Sequence, residues 1–484
     1  MNYTKWLHQR ETFKWLAYLM IFIYGLENQT TKYFLLYYFK DRFHIQTAQA
    51  VIYYSVTEAL YSVAQIIGGA VIGRYTDRTR NLRRVVVGVM LLSFGGNFLY
   101  VLHGHLWLVI LGRFLMGFTE SLQTAVIGEV RRSYQNEQEK LKTVISWYEV
   151  FNQLGMNIGA GLPILFTGFR IRIGYLKLDK YNMVNLVIAV FSFVLAVVSY
   201  YKVTNLSKNL AIIDSKNQKI HSDSSGQKTT AEKLDQSLNI KEISSAHQNK
   251  HCQRKSPTNT KHLNNETKAA PGRPDPSSTS LMKYSDLLQF DIITLCLAYG
   301  MVRYSVGTFI SNMTIIAPSE YHWSLSTLLI VVMTSNWFTL AATLLLVKHG
   351  FFIDNKRNFY LYVTSLAASS AMMTSFMLTN IGVLDILPKQ ILLFAILNIT
   401  KNFIYFQGQL TNTFLILQTV NPQDSSFITG VRGAVGTTFK GFGYTLASFS
   451  SHYPQYHSPV VAMFTLIFAV LILWRRNLHL QRSF

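Results

Sequence analysis

Apolar windows of roughly twenty residues recur along the chain between charged borders, and that is the length an α-helix rising 1.5 Å per residue needs to cross a hydrocarbon core of about 30 Å. Six windows precede a central break, at 13–39, 51–73, 85–103, 106–131, 143–168 and 182–203. Six follow it, at 288–315, 325–348, 359–380, 389–418, 425–450 and 457–475. The pattern predicts an all-α polytopic membrane protein with twelve transmembrane helices in two six-helix bundles. The first window is too long and too polar at its centre for a cleaved signal peptide, so it is expected to remain as the first span.

The break itself is rich in Ser, Lys, Asn, Gln and Thr, with Pro257, Pro271, Pro274 and Pro276, and it holds too little apolar surface to fold alone. The domain plan is therefore an N-terminal bundle at 1–204, a disordered cytosolic linker at 205–286 and a C-terminal bundle at 287–484. A regulatory role for the linker stays open beside that of a plain tether.

Charge sharpens this picture. The chain is 49% apolar and 14% charged, with a net charge of +21. Its Lys and Arg lie mostly between the windows, where cytosolic loops meet anionic lipid, and this argues against nucleic-acid binding. Arg74, Arg78, Arg80, Arg83, Arg84, Arg131, Arg132, Lys140, Lys142, Lys348, Lys356, Arg357, Arg475 and Arg476 all fall on one side. An even number of spans puts both termini on that same, cytosolic side. Arg170, Arg172, Lys177 and Lys180 form a basic cluster on the opposite face. Cys252 and Cys296 make neither a disulfide framework nor a thiol metal site. No metal or other cofactor is expected; the partners are a lipid bilayer and a small-molecule or ion substrate, and a monomer is expected. The repetition of membrane-length apolar runs excludes an ordinary soluble enzyme, and no enzymatic activity is expected.

Two loops share a spacing. After span two comes Gly73-Arg-Tyr-Thr-Asp77-Arg78, followed by Arg80, Arg83 and Arg84, and after span eight comes Gly350-Phe-Phe-Ile-Asp354-Asn-Lys356-Arg357. Each glycine would permit a tight turn, and each aspartate can face the positive N-terminal end of a helix in the opposite half. For Asp77 the expected partner is the start of span eleven, with Arg432 nearby. The repeat of one signature in both halves resembles the loop motif of the major facilitator superfamily. The first copy departs from the family pattern, lacking its second glycine near Arg80 and carrying its basic end one residue late. Leu111-Gly112-Arg113-Phe-Leu-Met-Gly117 is likewise similar to that family's intramembrane arginine segment. Glu120, seven residues on, is expected on the same helix face as Arg113, roughly 10 Å away.

A narrower resemblance rests on Gly96-Asn97-Phe98-Leu99-Tyr100, Glu129-Val-Arg131-Arg132-Ser133-Tyr134 and Leu178-Asp179-Lys180-Tyr181-Asn182, which look like the lysosomal major facilitators of the ceroid-lipofuscinosis type. It implies a lysosomal or endosomal address, and it keeps open an anion channel on the same scaffold beside a carrier.

Ionisable residues inside a span cost about 2.5 to 3.5 kcal/mol each on insertion scales, so each is expected to face a partner or a wet cavity. They stand at Glu27 and Lys32 in span one, Arg113 and Glu120 in span four, Arg303 in span seven and Lys401 in span ten. The resemblance implies that these four spans line a central path. For each residue, a salt bridge that only holds helices together stands beside contact with the solute. Acids concentrate in the first half, at Glu27, Glu58, Glu120 and Glu149, and bases in the second, at Arg303, Lys401, Arg432 and Lys440. That split suggests ion pairs between halves and a site for an anion on Arg303 and Lys401, with Glu27 or Glu120 as carrier of a coupling proton.

Glu58, Ser62, Gln65 and Gly69 form a polar stripe on span two. Gly155, Gly159, Gly161 and Pro163 in span five, and Gly430, Gly433, Gly436, Gly441 and Gly443 in span eleven, point to close helix packing. His103 and His105 read as solvated loop residues, and Tyr284-Ser-Asp-Leu287 and the overlapping Asp286-Leu287-Leu288 are the only sorting-like signals. The expected function is a secondary transporter of a small anionic solute working by alternating access. The anion channel and a non-transporting receptor or scaffold acting through the linker are the alternatives.

Overall fold

The computed structural model describes residues 3–102, 105–166, 168–173, 176–179, 181–213, 215–216, 289–319, 323–376, 387–446 and 454–475. The bulk of the linker, with Cys252 and Tyr284–Leu288, lies outside the described residues, as do His103, Lys180 and Arg476.

The described helices fall into twelve rods. The first half contains α1 (Tyr3–Phe43), α2 (Thr47–Thr79), α3 (Leu82–Val101), α4 (Leu106–Gly117), α5 (Ser121–Ser133), α6 (Gln138–Leu165) and α7 (Asn182–Lys202). A single 3₁₀ turn, Phe118–Glu120, joins α4 to α5, so these two make one span. The second half contains α8 (Phe290–Ser319), α9 (Leu325–Lys348), α10 (Asn355–Phe376), α11 (Leu387–Thr419), α12 (Ser425–Thr445) and α13 (Pro454–Trp474). A short further helix at 206–213 leads from α7 toward the linker.

By length and composition alone, seven described helices qualify as membrane spans: α2, α3, α7, α8, α9, α11 and α13. The remaining rods carry interior charge or are rich in hydroxyl side chains. An interior charge lowers the hydropathy of its own helix, and a window does not see a partner on another helix, such as Glu27 of α1 for Arg113 of α4.

The two halves repeat one packing plan. In the first, α1 lies against α6 and α3 against α7; in the second, α8 lies against α12 and α10 against α13. The halves meet along two seams, α2 with α12 and α6 with α9. Glycines set these distances. A Cβ on Gly155 would stand 2.1 Å from the Phe22 carbonyl oxygen, and one on Gly430 would stand 2.2 Å from that of Gly69. Gly155, Gly159, Gly430 and Gly443 thus allow the close packing expected of them, Gly430 between the halves, whereas a Cβ on Gly433 would meet nothing within 4 Å and one on Gly441 only the Ser62 side chain at 3.8 Å. Outward-facing residues are apolar, with Val190, Phe191, Phe193 and Val194 of α7 and Val460, Met463 and Phe464 of α13 exposed, as suits surfaces that touch lipid.

Two sequence expectations change in detail. Gly73 does not make a turn. It lies within α2, where a Cβ would stand 2.6 Å from the Ser426 carbonyl oxygen, and the turn is made instead by Arg80 at φ 52°. Gly350, at φ +63°, does form the turn expected of it. The basic loop after α6 is not plain coil but a hairpin of β1 (Ile171–Ile173) and β2 (Leu176–Leu178), with Arg172 opposite Lys177. Ile-Arg-Ile and Leu-Lys-Leu alternate with the two-residue period of a strand. Asp179, which follows it, accepts the backbone N–H of Tyr181 at 2.9 Å and of Asn182 at 3.3 Å, so that part of the subfamily-like stretch serves as the cap of α7.

Candidate functional site

A cavity of about 40 Å³ lies between the halves, room for about three water molecules. Its wall is drawn from α1, α6, α8, α9, α11 and α12. Four cations line it: Lys32, Arg303, Lys401 and Lys440. Amides supply much of the rest, among them Asn28, Gln29, Gln153, Asn157, Asn336 and Asn402, and no carboxylate is in the lining among the described residues.

The four cations differ in how they are held. Arg303 donates to Glu120 Oε1 at 3.1 Å, an ion pair between the halves, and to the Tyr405 hydroxyl at 2.5 Å. Lys32, Lys401 and Lys440 are buried, yet none makes an ion pair or side-chain hydrogen bond with a described residue. Two of them, Lys401 and Lys440, have ring faces as neighbours. Lys401 Nζ lies 5.8 Å from the Phe309 ring, and Lys440 Nζ lies 5.6 Å from Tyr444 and 5.8 Å from Tyr61. Such faces attract a cation but do not neutralise it, so the cavity keeps unbalanced positive charge.

Glu27 and Arg113 are not in the cavity wall. They form a separate cluster inside the first half, where Arg113 donates to Glu27 Oε1 and to Glu58 Oε1, both at 2.9 Å. All three side chains are at most 1% exposed, and the guanidinium carbon lies 3.8 Å from the centre of the Tyr61 ring. Arg113 and Glu120 do not act as a shared face. The 3₁₀ turn shifts the register after Gly117, and Glu120 turns to Arg303.

On the face that carries the termini, the halves are tied closely. Asp77 accepts the backbone N–H of Phe427 at 2.7 Å and of Ser426 at 3.3 Å, at the N-terminus of α12, and pairs with Arg132 at 2.6 Å. Arg132 also pairs with Glu129 at 3.0 Å, and Glu129 accepts the Ser207 backbone N–H at 2.7 Å and its hydroxyl at 3.0 Å. The chain leaving α7 thus braces the same network. Arg131 bonds Ser425 and the Val420 carbonyl, and Arg80 bonds Gln423.

Arg432 is not beside Asp77. It donates to the Gln409 carbonyl at 3.2 Å and to Thr413, and stands over the Tyr299 ring, because α12 carries it more than a turn deeper than its capped end. Arg78 is exposed. The second copy of the motif also behaves differently: Asp354 is exposed, caps its own helix through the Lys356 N–H at 2.9 Å, and pairs with Arg357 at 3.4 Å. The bond between halves at this position comes from Lys142, which donates to the Ile353 carbonyl and to Asn355.

Of the sequence candidates, Lys32, Arg303 and Lys401 share the cavity, Glu120 reaches it through Arg303, and Glu27 pairs with Arg113 away from it. Lys440 and Glu58 stand in the sequence as interior charges of their halves but not as cavity candidates, and Tyr405 is not singled out there at all. The first two sit on spans two and eleven, outside the four spans expected to line the path. Their signal in the sequence was that they are interior charges on apolar helices.

A bundle of two matching six-helix halves with a charged cavity at their junction defines a solute transporter. A family model described as the Major Facilitator Superfamily matches residues 17–439, and the chain belongs to that superfamily. It is a multi-pass secondary transporter and not an enzyme. The solved structure of the proton:xylose symporter XylE, bound to 6-bromo-6-deoxy-D-glucose, is similar at a TM-score of 0.62 and 12% identity, over 97% of this chain and 96% of that one. The human organic anion transporter MFSD10 (TETRAN) is similar at a TM-score of 0.56 and 12% identity, over 96% and 98%. At such identity these likenesses bear on the fold alone. Comparison with curated proteins gives no match.

Proposed function

We propose that the protein carries a small anionic solute by alternating access. One observation carries the reading: among the described residues, four cations and no carboxylate line the cavity between the halves, and three of those cations make no ion pair or side-chain hydrogen bond. A buried charge is costly unless paired, and a bound anion supplies the missing charge.

Proton coupling is the second part of the proposal. Glu27 and Glu58 share one guanidinium, so the cluster holds a formal charge of minus one when both carboxylates are ionised, and a single proton neutralises it. The address we propose is an endolysosomal membrane, with both termini and the tied face in the cytosol, where the basic loops meet anionic lipid. In that orientation the described conformation is closed to the cytosol.

The test is uptake into liposomes holding the purified protein, across a panel of inorganic and organic anions, with and without a pH gradient. Anion uptake above protein-free vesicles, saturable and faster under a proton gradient, is expected. Uptake restricted to cations or neutral sugars would reject the anion, and gradient-driven uptake that persists in the double variant Glu27→Gln, Glu58→Gln would reject the coupling site. Steady single-channel currents in a planar bilayer would replace the carrier with a channel.

A further inference from the structure

The outer face of the first half carries a second feature, away from the transport path. Where α3 begins and α7 ends, a groove of about 770 Å³ opens at the terminal face. That size falls within the range of about 300 to 1,000 Å³ usual for small-molecule sites. One end is polar and basic, with Arg83 and Arg84 from the first turn of α3 facing Asn205 and Asn209. Val87, Gly88 and Leu91 follow one and two turns deeper along α3, with Tyr200 of α7 beside them.

The basic end is pre-arranged. Arg83 Nε donates to the Val203 carbonyl at 2.7 Å and its backbone N–H to Asn205 Oδ1 at 3.3 Å, while its Nη groups have no described partner. Arg84 is exposed and makes no ion pair or hydrogen bond with a described residue. No carboxylate lines the groove among the described residues. The apolar wall is open as well: a Cβ on Gly88 would meet no atom within 4 Å, and Leu91 and Tyr200 are 46% and 56% exposed.

We propose that this groove binds one anionic phospholipid, with its phosphate-bearing headgroup on Arg83 and Arg84 and an acyl chain along Val87, Gly88 and Leu91. The two ends together select that ligand. A free phosphate ester gains nothing from the apolar wall, a zwitterionic lipid brings no net charge to two arginines, and the groove lies on helices whose outer faces meet the bilayer. The lipid would rest on the segment that carries Ser207, two residues past Asn205, and so beside the brace on Glu129.

The experiment measures binding to the purified full-length protein in detergent by native mass spectrometry and by the shift in thermal midpoint. The probes are dioctanoyl phosphatidylserine, dioctanoyl phosphatidylcholine and soluble glycerophosphoserine. The serine lipid is expected to bind at least tenfold more tightly than either of the others. Arg84→Gln should weaken it about fivefold, the factor for losing one arginine contact. Gly88→Leu, which fills the groove, keeps both arginines and suits an exposed helix position, should remove most of the binding. The proposal stands only if both variants weaken the serine lipid and both control probes fail. Unchanged binding in either variant, equal binding of the choline lipid, or equal binding of glycerophosphoserine would overturn it.

Discussion

The Asp77 carboxylate accepts the backbone N–H of Phe427 at 2.7 Å, a bond from the end of α2 in one half to the first turn of α12 in the other. The aspartate is 2% exposed and meets the positive end of the helix dipole, where a partly buried charge is worth up to about 2 kcal/mol. Asp77→Asn keeps the shape and removes the charge. We expect it to shift the population away from the closed state by about 5- to 30-fold, the factor corresponding to about 1 to 2 kcal/mol. Spin labels at the exposed positions Arg78→Cys and Lys348→Cys, one in each half, would report the shift as a second, longer distance. A single unchanged distance would contradict it.

Gly430 supports the same closed state by packing alone. A Cβ there would lie 2.2 Å from the Gly69 carbonyl oxygen, with backbone on both sides and nothing flexible to yield. Overpacking of this kind costs about 1 to 3 kcal/mol. Because it acts between halves, Gly430→Ala should open the terminal face without lowering the thermal midpoint of the separate bundles. The same label pair checks it, and a fall in midpoint with an unchanged distance would place the cost inside one bundle instead.

Glu120 and Arg303 form an ion pair between halves at 3.1 Å in the membrane interior. Removing one member of such a pair strands the other and costs about 3 to 5 kcal/mol, whereas replacing both by residues of similar size is far milder. Glu120→Gln and Arg303→Met are each expected to lower the thermal midpoint markedly, and the double variant to recover much of the loss. Additive losses in the double variant would show that the two residues act independently.

Lys401 and Lys440 should behave in the opposite way. With no ion pair to lose, Lys401→Gln and Lys440→Gln relieve an uncompensated buried charge. Each is expected to leave the thermal midpoint unchanged or raised while lowering anion uptake at least tenfold. A variant that loses stability together with uptake would mark its lysine as structural.

Outside the membrane, Arg10 and Lys140 both bond Glu137, at 2.6 Å each, and hold its carboxyl below the usual carboxylate range. A carboxylate depressed in the folded state contributes stability above its unfolded value and loses it as pH falls through the folded one. The advantage of the native chain over Glu137→Gln should therefore be complete at neutral pH, begin to fall as pH drops below about 4, and vanish once the lower folded value is passed. Thermal melts of both proteins across that range would check it, and an advantage that persists in acid would reject the charged contact.

The sequence by itself determined the number and order of the spans, the basic side, the repeat of the loop motif and the presence of charge in spans one, four, seven and ten. Each of these is local: a run of apolar residues or a charge within it is legible wherever the chain goes. The tertiary structure decided the partners. Arg113 took Glu27 and Glu58, Glu120 took Arg303, and Arg432 bonded Gln409 and Thr413 rather than standing beside Asp77, because a one-turn change to 3₁₀ geometry and the depth of α12 in the seam decide which way these side chains point. It also separated two aspartates that the motif makes look equivalent, one bonded across the halves and one capping its own helix. Charge in a membrane is settled by what stands opposite it, and that depends on helices brought together from distant parts of the chain.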